Sequence, residues 1–86
     1  MNWTLYAWLK RGHRRKSVLT EMAKSKDPLT ANDISKKKNL AISQVSFTLK
    51  ELLNMQLIEC LNPNDKIGKL YRISTKGKEL LDEFSV

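Results

Sequence analysis

Cysteine occurs once in this 86-residue chain, as Cys60, and histidine once, as His13. A single thiol closes no intramolecular disulfide and fits a reducing compartment. One Cys and one His, far apart in sequence, fall short of the several ligands a metal site needs. No apolar run approaches the ~20 residues that cross a bilayer. The apolar start, Met1 to Leu9, lacks the basic lead and small-residue cleavage site of a secretory signal. The expectation is a cytoplasmic protein with no membrane partner. No glycine loop suited to phosphate, nucleophile–base pair or paired carboxylate site can be picked out. Neither catalysis nor a metal or other cofactor is expected.

Acidic residues are also scarce: 9 Asp and Glu stand against 16 Lys and Arg, a net charge of +7. Such an imbalance attracts phosphate-rich partners without fixing a fold, and ribosomal and membrane-surface proteins share it. The length predicts one domain over residues 1–86, with a core thin enough for oligomerisation to add stability.

Along the chain, Asn2 is placed to cap a first helix carrying Trp3, Leu5, Tyr6, Trp8 and Leu9, apolar nearly all round. After Gly12, a second helical stretch opens at His13-Arg14-Arg15-Lys16 and buries Val18, Leu19 and Met22. Pro28 forbids helix just before it. Thr30, with Asp33 three positions on, predicts a capped short helix around Ile34, followed by a turn at Lys38-Asn39-Leu40. Val45, Leu49, Leu52 and Leu53 form an apolar stripe on a helix from Ile42 to about Met55. Ile58–Leu61 and Lys69–Ser74 alternate as two strands around the turn-rich Asn62–Gly68 segment. Thr75 is expected to cap a last helix with Leu80, Leu81 and Phe84 on its apolar edge.

Helix, turn, helix and hairpin in this order predict an α+β winged helix-turn-helix, a device that sets its second helix into a DNA major groove. Base reading then falls to the exposed start of that helix, Ser43 and Gln44, since Gln pairs bidentately with adenine and Ser with several base edges. Phe47 shares the face, either meeting a thymine methyl or tucking against the hairpin; packing is slightly favoured. Arg14, Arg15, Lys36, Lys37, Ser46, Lys50, Lys66 and Lys69 are the expected backbone contacts, which position without reading sequence. Any one basic run could equally be a solvated face. Cys60, alternating with core residues, reads as a small buried hydrophobe.

Ile34-Ser35, Val45–Leu52, Leu57-Ile58-Glu59 and Leu70–Gly77 resemble the winged helix-turn-helix regulators of the ArsR and MarR type. Small archaeal members are the most similar, including the Arg11-Gly12-His13-Arg14-Arg15 segment. The resemblance implies a sequence-specific, double-stranded-DNA-binding transcriptional regulator. It makes Asp65-Lys66-Ile67-Gly68 the wing tip, which touches backbone or minor groove. Two departures stand out: Ala41 where a capping Ser or Asn is common, and Phe47 where an Arg often meets phosphate. The cysteine-rich signature of metal-sensing members is absent. A homodimer is expected, with Trp3, Tyr6, Trp8, Leu80, Leu81 and Phe84 at its interface; closure of a monomeric core by the same residues is the alternative. A different class of function stays open, a winged helix serving as a protein-interaction module in a transcription or RNA-processing assembly.

Overall fold

Helix caps punctuate the structure, a computed structural model that describes residues 2–85. The Asn2 side chain accepts from the Leu5 N–H at 3.0 Å and starts α1 (Trp3–Arg11). Gly12 separates it from α2 (His13–Lys24), whose inner face carries Val18, Leu19 and Met22. Thr30 caps α3 (Ala31–Lys38) through a reciprocal pair: the Asp33 N–H donates to Thr30 Oγ1 at 3.1 Å, and the Thr30 N–H donates to Asp33 Oδ2 at 3.0 Å. Asn39 takes the left-handed conformation (φ 53°), which its short amide side chain tolerates. With the Leu40 N–H returning to Ser35 O, this stops α3 in a tight turn, and Ser35 Oγ donates to Leu40 O at 2.6 Å across it.

The second helix of the motif, α4 (Ile42–Asn54), buries Val45, Thr48, Leu49 and Leu52. Its end is a Schellman arrangement: the Leu57 N–H reaches Leu52 O and the Gln56 N–H reaches Leu53 O. This places Gln56 at φ 62°, a position glycine usually fills. The hairpin follows as β1 (Ile58–Cys60) and β2 (Tyr71–Ile73), antiparallel with Ile58 opposite Ile73 and Cys60 opposite Tyr71. Both strands are shorter than the alternation predicts. An unforeseen third member lies on the far side of β2, where Leu29 and Tyr71 exchange two backbone hydrogen bonds of 2.9 and 2.8 Å.

The last helix is α5 (Thr75–Asp82), followed by a 3₁₀ turn at Glu83–Ser85. Ser74, rather than the expected Thr75, caps it: Ser74 Oγ accepts from the Gly77 N–H at 3.0 Å and donates to Gln56 O at 2.8 Å. The fold is thus an α+β winged helix-turn-helix, with a helical core, a two-stranded hairpin and a final helix. Its core joins Leu5 and Leu9 of α1 to Val18, Leu19 and Met22, and these to Ile34, Val45, Leu49, Leu52, Leu57, Ile58, Ile73 and Leu80. Each such side chain, once buried, contributes about 1.5–3 kcal/mol relative to exposure.

Candidate nucleic-acid interface

The apolar stripe of α4 faces inward, so the opposite face is outward by helical geometry. Ser43, Gln44, Phe47 and Lys50 are all exposed on it. Ala41 offers no side-chain acceptor at the helix start, but Gln44 Oε1 accepts from the Ala41 N–H at a long 3.4 Å. That half-cap is weak enough for the amide to leave it for another partner. Behind the face, the Thr48 hydroxyl is buried and donates to Gln44 O at 2.9 Å, so it leaves no polar demand unmet.

On one flank, the wing and the start of α3 form a trough with α4. Ser46 and Ile42 line its α4 side, Lys66, Ile67 and Lys69 its wing side, and Thr30 and Asn32 its floor. The wing tip is shaped by Asn62. Its Oδ1 accepts from the Leu70 N–H at 2.7 Å, while its Nδ2 donates to Asp65 Oδ2 at 2.9 Å and to Gly68 O at 3.2 Å. Gly68 turns the tip at φ 73°. Ile67 there is 91% exposed, between two lysines.

On the other flank, Arg11, Gly12, His13 and Arg14 at the α1–α2 corner face Phe47 across a second concavity. Phe47 is 61% exposed, which overturns the expectation that it packs on the hairpin; the wing lies on the opposite side of α4. Arg11 and His13, which are not among the expected backbone contacts, enter here through the helix break at Gly12.

The basic run His13–Lys16 divides by helical direction. Arg14 stays exposed beside Phe47. Arg15 instead turns inward, with Nε and Nη2 donating to Glu51 Oε2 at 3.1 and 2.8 Å and Nη1 to Trp8 O at 3.1 Å. Lys16 lies over the Phe84 ring at 4.3 Å. Lys36 and Lys37 are exposed on α3, one turn beyond Asp33, where they suit the negative end of the helix dipole; they do not line either concavity. The Asp33 carboxyl is held below the usual 3.8 by the Thr30 N–H first, then the Thr30 hydroxyl, with Lys36 and Lys37 adding to it.

The expected interface residues separate. Leu80 is buried within the single chain, Leu81 and Trp8 are half-buried, Tyr6 stacks on Phe84, and Trp3 is 69% exposed. Cys60 is half-buried rather than buried, its thiol 3.9 Å from Asn62 Oδ1. Among the described residues no cluster of potential metal ligands occurs, and no helix is long and apolar enough to cross a membrane.

No family model and no curated protein matches the chain. Solved structures do. A mutant of MepR from a multidrug-resistant S. aureus clinical isolate shares 28% identity at a TM-score of 0.76, covering 85% of this chain and 54% of that one. An S. aureus MepR mutant bound to an oligodeoxyribonucleotide shares 27% identity at a TM-score of 0.76, covering 90% and 59%. A MarR/EmrR family transcriptional regulator from Acinetobacter sp. ADP1 shares 23% at a TM-score of 0.72, covering 85% and 51%. These neighbours are MarR-family winged-helix regulators. The chain spans only half to three fifths of their length.

Proposed function

We propose that the chain is a sequence-specific, double-stranded-DNA-binding transcriptional regulator of the ArsR/MarR type, acting as a single winged-helix domain. The observation that carries this reading is the outward face of α4. Ser43, Gln44, Phe47 and Lys50 are exposed on it. Cations wall it on both sides, Lys66 and Lys69 at the wing, Arg11 and Arg14 at the corner. Glu51, the acid in the corner concavity, is paired with Arg15 at 2.8 Å. A face with amides and hydroxyls at its centre and cations at its margins matches the division of labour between base reading and backbone positioning. The oligodeoxyribonucleotide bound by a similar MepR chain supports it.

In this arrangement Ser43, Gln44 and Phe47 read bases, while Arg14, Ser46, Lys50, Lys66 and Lys69 hold the backbone. Lys36 and Lys37 attract the duplex at longer range. A homodimer sets two such faces roughly 34 Å apart, one turn of duplex. Selection from a random DNA pool, followed by titration in rising salt, tests the proposal. The expected result is an enriched palindromic consensus and log K falling with a slope near −5, for about six phosphate contacts. A flat salt dependence without enrichment overturns it. That outcome favours the second reading, a protein-docking winged helix, for which the exposed Phe47 and Ile67 are the specific support.

A further inference from the structure

Arg15 belongs to the basic run His13–Lys16, yet each of its three guanidinium nitrogens already donates to a partner within the chain. Two donors converge on Glu51 Oε2 at 3.1 and 2.8 Å, a third meets Trp8 O at 3.1 Å, and the group lies 4.2 Å above the Trp8 ring. The ion pair is sheltered, with 26% and 23% of the two side chains exposed. Reaching a phosphate would break all three hydrogen bonds and the cation–π contact together. Gly12 makes the arrangement possible: a Cβ there would lie 2.4 Å from Arg15 Cδ and 2.9 Å from Cγ. The break between α1 and α2 therefore clears the path along which the arginine stem crosses to α4.

Glu51 lies one helical turn beyond Phe47 on the same flank of α4. The buried stripe Val45, Leu49 and Leu52 decides which side of α4 meets the core, but apolar contacts are non-directional and leave small rotations about the helix axis less finely fixed. A charge-assisted link on the flank is directional. Its other end is anchored in α2 and on the Trp8 carbonyl of α1.

We propose that Arg15 is a positioning residue for the recognition helix, and that through Glu51 it sets the rotation of α4 that presents Ser43, Gln44 and Phe47. Resting on the DNA-binding reading above, the proposal removes Arg15 from the backbone contacts and gives Glu51, an acid beside the groove, a favourable role in binding.

The test uses the full chain, the selected duplex and a random duplex, titrated at several salt concentrations. Arg15→Lys keeps the charge and loses the planar fork. Gly12→Ala keeps every charge and displaces the arginine stem. Glu51→Gln removes a negative charge, so simple electrostatics predicts tighter binding. Each is expected to weaken the selected duplex roughly three- to tenfold, with the random duplex bound no more weakly than by the wild type. The Arg15→Lys/Glu51→Gln double variant should be no weaker than either single one. Arg15→Gln should leave the salt slope unchanged, whereas a lost phosphate contact lowers it by about 0.9. Tighter binding by Glu51→Gln, wild-type affinity in Arg15→Lys, or that loss of slope overturns the proposal. Should Arg15→Gln fail to fold, Arg15→Lys and Gly12→Ala still decide. A wild-type chain that binds neither duplex sinks the DNA-binding reading itself and this inference with it.

Discussion

Tyr6 and Phe84 lie face to face, ring centroids 4.4 Å apart and 10° from parallel. The contact joins the first helix to the chain's last turn, and Lys16 lies over the same Phe84 ring. Two side chains expected at a subunit interface are thus already paired within one chain. Phe84→Ala is expected to lose about 2 kcal/mol, from aromatic pairing plus buried area. Urea unfolding should show a lower midpoint at unchanged slope. Trp3, 6.0 Å from Tyr6 at its edge and largely exposed, behaves differently. Trp3→Ala should leave stability within about 0.5 kcal/mol and shift sedimentation toward monomer. A wild-type monomer at high micromolar concentration contradicts the dimer.

At Gly77, an added Cβ would lie 2.2 Å from the Leu57 carbonyl oxygen and 2.8 Å from Ile73 Cγ1. The first neighbour is backbone and cannot rotate away. Gly77→Ala is therefore expected to cost about 1–3 kcal/mol, as overpacked cores do. Thermal unfolding measures it; a neutral substitution means α5 does not approach the hairpin this closely.

Gln56 sits at φ 62° just beyond α4, with its side chain exposed. A left-handed conformation costs an L-residue roughly 1–2 kcal/mol, and glycine's extra unfolded-state freedom returns part of that. The net expectation for Gln56→Gly is a gain of about 0.5–1 kcal/mol, read as a raised melting temperature.

Asp33 gives the pH dependence. Its carboxyl is depressed below 3.8 by the Thr30 N–H, then the Thr30 hydroxyl, then Lys36 and Lys37. A depressed carboxyl binds fewer protons folded than unfolded, so its contribution is complete above the unfolded value and disappears as pH falls through the folded one. Asp33→Asn should flatten the stability profile in the acid range, from around the unfolded value of 3.8 downward. Equal slopes for the two proteins in that window would falsify the assignment.

Gln44→Ala removes the proposed adenine-pairing amide and should reduce discrimination at one base position by about 1–3 kcal/mol. Lys66→Ala, at the wing, should weaken selected and random duplexes alike and lower the salt slope by about 0.9. Competition titrations against single-base variants separate the two. An unchanged base preference in Gln44→Ala removes it from the reading surface.

Local rules made much of the fold legible. Asn2 and the Thr30–Asp33 pair announce their helices because a cap acts within three residues. The α4 stripe follows from its spacing. The misjudged features depend on partners distant in the chain. The acceptor of Arg15 lies 36 positions away, so the sequence groups Arg15 with Arg14 as an outward cation although its side chain is sheltered. Leu29 pairs with Tyr71 through backbone atoms alone, which no side-chain pattern reveals. Leu57 is fully buried, yet as a single residue between helix end and strand it has no periodic neighbours to mark it. Ser74 and Thr75 are equivalent by residue type, and only the geometry of the Gly77 amide separates them.

Leu29 immediately precedes the Thr30 cap of α3 while its backbone is clasped to Tyr71 at the root of the wing. The wing is therefore fastened to the very unit that carries the recognition helix. Helix and wing tip behave as the two jaws of a calliper set to one span. On the proposed DNA-binding reading, a duplex whose neighbouring grooves did not match that gap would have to bend or narrow to fit, and stiffness along the target would become part of what is selected.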